Sequence, residues 1–371
     1  MAEVFLSESK LISNYQSLQK ALPGVDLYYA CKTNSDRNIL SILNKIGAKF
    51  DVATIGEIQA LFETGVLLDK KRVIHTHPIK TIEEIVYILN QGVIQTFVVD
   101  NIDEIKKFET VLELCRQTKD WVNMPNVLIR VAANNPEAKI DLSAKFGCNI
   151  NEFDALYQYC KSIGLQVRGI SFHAGSNCDN ANRHARMVYE CIPLFKKYNL
   201  KTLDIGGGFP GIISDGNIMD WCSPLKTALD HLRLSMIGYN DSCVEIIAEP
   251  GRYVVASAMS MVCTVIGKSL KGDVMWYYID DGIYGMMSGV MYDNNKYDLI
   301  PHKDQYDLFR PRYKSVFSGP TCDSIDVVLR DVEYEELDIG DKLTVENVGA
   351  YSIAHASTFN SIPLPVVKVV Q

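Results

Sequence analysis

Several polar residues stand where short apolar runs end, and their types suit chemistry on an amino group, a phosphate and a ring nitrogen. Lys32 directly follows Leu27-Tyr28-Tyr29-Ala30-Cys31. An amine at the end of a buried strand is desolvated, which lowers its pKa and suits it to Schiff-base chemistry. The alternative is a strand-end ammonium reaching water, the common fate of a single lysine. The stretch Asp204-Ile-Gly-Gly-Gly-Phe-Pro-Gly211 places Gly206, Gly207 and Gly208 after another run. Consecutive glycines bring several N–H groups toward one point and make an anion nest for a phosphate. A tight turn with no ligand is the alternative. The formal GxGxxG at Gly206, Gly208 and Gly211 is a poor dinucleotide fingerprint. Pro210 interrupts the helix start, and no acidic residue follows at the expected spacing in a clear strand. Glu249 ends a further run and is followed by Gly251 and Arg252. A carboxylate there can keep a pyridine nitrogen protonated and strengthen its electron-sink character. An ion pair with Arg252 or a lysine is the plainer reading. His173 can stack on such a ring or be a satisfied core histidine. His75 and His77 share a strand face at i, i+2, but no third ligand accompanies them, so no metal is expected.

The elements that must position these groups are legible as alternating patterns. Eight short runs rich in Val, Ile, Tyr or Phe read as buried strands: Leu27–Cys31, Phe50–Ala53, Val73–Thr76, Thr96–Val99, Val127–Val131, Val167–Phe172, Thr202–Ile205 and Val244–Ala248. Helical patterns such as Ser35–Ile46, Gly56–Thr64 and Ile82–Asn90 separate them. In the last, Ile82, Ile85, Val86 and Leu89 recur at helical spacing and make one apolar face. Eight strand–helix units are the size of a closed (β/α)8 TIM-like barrel; a doubly wound open sheet usually has fewer strands. Barrel chemistry gathers at the C-terminal strand ends. Lys32, His75 to His77, Asp100, His173, Gly206–Gly208 and Glu249 fall there, with Asp51 and Arg130 inside strands. Beyond about residue 258 the pattern turns to strands with few helices: Val262–Ile266, Val274–Ile279, Ser315–Phe317, Val327–Leu329 and Leu343–Glu346. The expected division is an α/β barrel over 8–258 and a β-sandwich or β-barrel domain over 259–371, joined by a strand within 1–7.

Composition narrows the function. The 371 residues carry 37 Lys plus Arg against 45 Asp plus Glu, a net charge of −8. That balance argues against a nucleic-acid partner, which needs concentrated Lys and Arg. No apolar stretch reaches the roughly 20 residues of a membrane span, and no signal peptide opens the chain. The ten Cys include no CxxC pair and read as reduced thiols, which points to the cytoplasm.

A lysine, a phosphate nest and a ring-nitrogen carboxylate at strands 1, 7 and 8 of one barrel point jointly to pyridoxal 5'-phosphate. The sequence also resembles the ornithine decarboxylase family, the barrel-fold group of pyridoxal-phosphate-dependent basic amino-acid decarboxylases. The matching stretches are YYACKTN around Lys32, FDVATIGEIQ around Asp51, VRGISFHAGS, LDIGGGFPG, AEPGRYVVASA, DDGIYGMMSGVMYD, GPTCDSID and ENVGAYSIAHASTFN. They run in the family's order from residue 28 to 360.

The resemblance implies the alanine-racemase-like fold type III, a barrel followed by an all-β domain. It implies that Lys32 holds the cofactor covalently, Glu249 pairs with the pyridine nitrogen and His173 stacks on the ring. Ser176, Gly206, Gly207, Gly208, Gly251, Arg252 and Tyr351 would form the phosphate site, with Asp51 and Arg130 as supports. Cys322, from the partner subunit of a homodimer, would protonate the α-carbon after carbon dioxide leaves. Asp293 and Asp323, with Tyr292 and Phe359 beside them, would hold the distal ammonium of a basic amino acid. Lys145 and Asp326 match positions that pair across the dimer interface. A short Asp293 with Asp323 suits L-ornithine, giving putrescine for polyamine biosynthesis. Lysine is one methylene longer, a discrimination of only about 1–3 kcal/mol, so dual activity stays open. The chain departs from the family pattern at HAGS for HVGS, at Ser361-Ile362 for Gly-Phe and at Cys31 for Val. An amino-acid racemase and a catalytically inactive regulatory homologue are the other readings. The intact cofactor set speaks against the second, and Cys322-Asp323 against the first.

Overall fold

The structure is a computed structural model that describes residues 1–66, 71–118, 124–133, 143–213, 216–239, 244–302 and 310–371. The chain forms two compact units, Tyr15–Gly251 and Met1–Asn14 with Arg252–Gln371.

The chain opens with β1 (Glu3–Ser7) and α1 (Glu8–Ala21). Eight strands then follow: β2 (Asp26–Ala30), β3 (Lys49–Val52), β4 (Val73–His75), β5 (Thr96–Val99), β6 (Asn126–Val131), β7 (Gln166–Phe172), β8 (Thr202–Asp204) and β9 (Glu245–Ala248). They pair in sequence order, all parallel, and β2 closes on β9 through Asp26 opposite Ile247 and Leu27 opposite Ala248. The (β/α)8 barrel is therefore closed. The helices between strands are α2 (Arg37–Lys45), α3 (Ile55–Glu63), α4 (Ile82–Gln91), α5 (Ile102–Thr118), α6 (Phe153–Ile163), α7 (Asn182–Tyr198) and α8 (Ile218–Ser235).

Local chemistry fixes where these elements begin and end. At α4, Thr81 and Glu84 form a reciprocal capping box, and left-handed Gly92 ends the helix. Its buried face is Ile85, Ile88 and Leu89. The helix expected from Ser35 starts at Arg37 because the Asp36 side chain caps it, accepting from Asn38 N–H. Tyr28, Ile74, Val98, Leu128 and Ile247, from five strands, form one buried cluster. Each such side chain contributes about 1.5–3 kcal/mol of hydrophobic stabilisation. Between β7 and β8 the backbones run so close that a Cβ on Gly169 would lie 1.7 Å from the Thr202 carbonyl oxygen.

The other unit holds two short helices, α9 (Arg252–Val255) and α10 (Gly289–Tyr292). Its further strands are β10 (Met259–Lys271), β11 (Val274–Ile279), β12 (Leu299–Pro301), β13 (Arg312–Ser318), β14 (Val327–Glu335), β15 (Lys342–Glu346) and β16 (Val367–Val370). They form one mixed sheet in the order β12-β15-β10-β11-β13-β14, with β1 on β10 and β16 on β1. The long β10 serves two ladders, pairing β15 over Ser260–Thr264 and β11 from Val265 onward, with a register shift between Val265 and Gly267. A bulge of this kind bends a strand, which lets β10 carry both ladders of this all-β unit. Among the described residues no helix is long and apolar enough to cross a membrane, and all nine described cysteines are free.

Candidate active site

The barrel strand ends bring one amine and three carboxyl groups together. Lys32 lies in a single helical turn, Cys31–Thr33, directly after β2. Its Nζ is 3.5 Å from Asp51 Oδ2 and 3.7 Å from Glu249 Oε2. Both carboxyl groups are buried, whereas the lysine side chain is 40% exposed. Burial and the Glu249 charge push the Asp51 carboxyl up to about 8, against the pull of Lys32 and the Thr76 hydroxyl. Asp204, at the end of β8, accepts from Gly206 N–H and the Ser171 hydroxyl, each at 2.9 Å. Burial, with the neighbouring Glu249 carboxyl, raises it well above the usual range. Carboxyl groups poised this way can take a proton from Lys32 or return one to it.

A glycine cradle lies beside them. Gly206 and Gly208 have φ of +64° and +98°, which a larger residue resists. A Cβ on Gly207 would lie 2.9 Å from both His173 Nε2 and the Glu249 carbonyl oxygen. One on Gly208 would lie 2.5 Å from the Gly175 oxygen, and one on Gly251 1.9 Å from Thr33 Oγ1. Side chains are thus excluded where backbone must approach an anion. His173 accepts Gly175 N–H at Nδ1, 3.2 Å away, and burial holds its pKa well below the ordinary value. It is a neutral ring with an aromatic face. Ser176 lies in the same loop, part-exposed. Arg130, on β6, has its guanidinium 5.4 Å over the Phe146 ring. A planar heterocycle bearing a phosphate and an aldehyde fits this set: an amine, an N–H nest, a flat neutral ring and buried carboxylates.

The remaining expected residues, apart from Lys145 in the barrel unit, lie in the other unit. Arg252 Nη2 is 2.8 Å from Asp293 Oδ2, both side chains 8% exposed, and its guanidinium sits 4.8 Å over Tyr351. Asp293, expected to face a substrate ammonium, is thus held by an arginine. Asp323 accepts the Tyr284 hydroxyl at 2.5 Å. That bond lowers the Asp323 carboxyl and pushes Tyr284 up to about 12. The Tyr284 and Phe359 rings are 4.7 Å apart, and Tyr292 lies 4.9 Å from His355. Cys322 is exposed, its N–H donating to Asn360 Oδ1 at 3.0 Å. Asp326 is buried and accepts from Ile283 N–H, Thr321 N–H and the Thr321 hydroxyl, so it holds its own loop. Lys145 lies 4.9 Å over Phe146.

Sequence reasoning missed Thr76, Ser171 and Asp204. Asp204 stands two residues before Gly206, the first of the glycine run, and Thr76 ends an expected strand, so position was the available signal. His75 is sealed in the core near Phe97, and His77 Nδ1 is 2.6 Å from the Ile79 oxygen. No metal-ligating group of three or more residues stands among the described residues.

The family profile described as pyridoxal-dependent decarboxylase, pyridoxal binding domain, matches residues 8–256. Antizyme inhibitor 2 of Xenopus laevis is 36% identical, over 92% of this chain and 75% of that protein. The lysine/ornithine decarboxylase of Selenomonas ruminantium is 34% identical, over 96% of this chain and 86% of that protein. The crystal structure of lysine/ornithine decarboxylase from Vibrio vulnificus, complexed with cadaverine, superposes with a TM-score of 0.87. It is 31% identical and covers 100% of this chain and 95% of its own.

Proposed function

The chain belongs to the pyridoxal-dependent decarboxylases, and on that premise we propose that it decarboxylates L-ornithine to putrescine in the cytoplasm, as a homodimer. The observation that carries the reading is Lys32 between Asp51 and Glu249, beside a glycine cradle closed to side chains.

Bound pyridoxal phosphate supplies the electron sink for the pair left when the bond to the α-carboxylate breaks. The chain's own groups do the rest. Lys32 would hold the cofactor through its Nζ, the amine that lies against Asp51 and Glu249. Asp51 takes and returns protons at Lys32 Nζ. Glu249 would pair with the ring N–H and keep that nitrogen protonated, and the neutral face of His173 would stack on the ring. The N–H groups of Gly206–Gly208, Ser176 and Gly251 bind phosphate; Arg252 and Tyr351 are assigned there by the motif match. Cys322 of a second copy returns a proton to the α-carbon. Asp323, kept anionic by Tyr284, takes the distal ammonium of the substrate. Asp293 already faces Arg252, which weakens its pull on a second cation.

The test is product identity. The purified protein is given pyridoxal phosphate and, separately, L-ornithine, L-lysine, L-arginine or meso-diaminopimelate, and amines are identified by mass. Dominant putrescine supports the reading. Cadaverine or agmatine in its place overturns the substrate and leaves the class. The likeness to a protein named antizyme inhibitor favours a second reading, a binding protein without activity. That reading predicts no visible absorbance from bound cofactor and no amine from any substrate.

A further inference from the structure

Thr76 directly follows β4 and is buried. Its hydroxyl donates to Asp51 Oδ1 at 2.6 Å, and its backbone N–H donates to the same oxygen at 3.3 Å. The other oxygen of that carboxyl faces Lys32 Nζ at 3.5 Å. One carboxylate is thus gripped on one side by a threonine and on the other by the amine. We propose that Thr76 is a positioning residue that fixes the orientation and ionisation of Asp51 and, through it, the charge of Lys32. This rests on the reading of Lys32 as the cofactor-holding amine.

Hydrogen bonds donated to a carboxylate favour its charged form. Asp51 needs such help. Burial opposes its charge, as do Glu249 and Glu57, while Lys32 and the Thr76 hydroxyl support it. Arg130 also faces it. Around Lys32 stand Asp51, Glu249, Glu57, His77, His173 and the buried Cys31 thiol. Without the hydroxyl, the Asp51–Lys32 pair shifts toward its neutral form, a proton moving from nitrogen to oxygen. The segment bearing Thr76 is rigidly tied. Lys80 Nζ donates to the carbonyls of His77, Pro78 and Val98 at 2.8, 2.8 and 2.7 Å. The donor therefore stands fixed before any ligand arrives.

The experiment compares wild type with Thr76→Val, which removes the hydroxyl and keeps the branched shape, and Thr76→Ser, which keeps the hydroxyl. Two readouts are taken. Pyridoxal phosphate is titrated into the cofactor-free protein and followed by absorbance. The pH dependence of Lys32 acylation by an anhydride is followed by peptide mass. Thr76→Val is expected to bind the cofactor about tenfold more weakly and to move the labelling midpoint down by about one pH unit, the scale of one charged hydrogen bond. Thr76→Ser is expected to follow wild type. Thr76→Ala, expected to match Thr76→Val, decides the case if the valine variant does not fold. A valine or alanine variant that titrates as wild type overturns the proposal, as does a serine variant shifted equally. Failure of the wild type to take up cofactor would sink the proposed function instead, and the labelling midpoints would still decide the role of Thr76.

Discussion

Lys32 is a base with two buried acids beside it, and that arrangement has consequences a single substitution can read. Replacing Lys32 by alanine removes the group that holds and moves protons at the reacting amine. The expected loss in kcat is about 10²–10⁴-fold, measured as carbon dioxide release at saturating substrate. His184 gives a second, pH-dependent outcome. It is buried, its Nε2 is 2.8 Å from the Gly207 carbonyl oxygen, and burial lowers its pKa to about 4. The folded state therefore holds it neutral while the unfolded chain protonates it below about 6.5. Its contribution to stability is present above pH 6.5 and is lost as pH falls toward 4, by about 3 kcal/mol in total. Urea midpoints between pH 7 and 4 should show that decline, and His184→Phe should flatten it while loosening Gly207 and weakening cofactor binding. The strand-end groups Lys32, Glu249 and Gly206–Gly208 were legible because each directly follows an apolar run. Thr76 and Asp204 were not, because their partners Asp51 and Glu249 lie far away in sequence and only barrel closure brings them near.

Elements set how firmly those groups are held. The loop after β4 depends on Lys80, a buried lysine whose amine burial draws down to about 7. Three carbonyls surround its nitrogen, and only an ammonium has a donor for each. Lys80→Met leaves those carbonyls without a donor and should cost about 2–4 kcal/mol, read as a lower urea midpoint with unchanged slope. It should also weaken cofactor binding, because Thr76 shares the segment. Gly169→Ala should be worse, since its Cβ would collide with the Thr202 carbonyl across the β7–β8 ladder. The fold was legible at this scale for a plain reason: strands buried on both faces read as unbroken apolar runs. Five of the later strands were also visible, as was the N-terminal one. The misses were β12, three residues ending in Pro301, and β16, the exposed Val367–Val370 edge. Neither carries an alternation long enough to stand out, and both are defined by the partners they pair with.

At the scale of the whole molecule the question is where the proton donor for the α-carbon comes from. Cys322 is exposed, on a turn whose Asp326 is consumed by its own loop. Ile325 on the same turn and Phe359, next to the Asn360 that holds the Cys322 N–H, are both more than a third accessible. Two large apolar side chains exposed beside one turn suit an interaction surface. In the proposed homodimer a twofold axis would apply one patch twice, and each copy would lend its Cys322 to the other's barrel. Asp326→Ala should then unravel the loop, lowering thermal stability at every protein concentration rather than merely dissociating subunits. The sharing itself can be read from a mixture. Lys32→Ala and Cys322→Ala are each expected to be nearly inactive as pure dimers. When the two are mixed in equal amounts and allowed to exchange, about half the dimers are mixed, and each of these holds one site with both groups intact. Activity should return to about a quarter of the wild-type value, rising with the time constant of subunit exchange. A mixture that stays silent while native mass spectrometry shows mixed dimers would place Lys32 and Cys322 in the same chain's site.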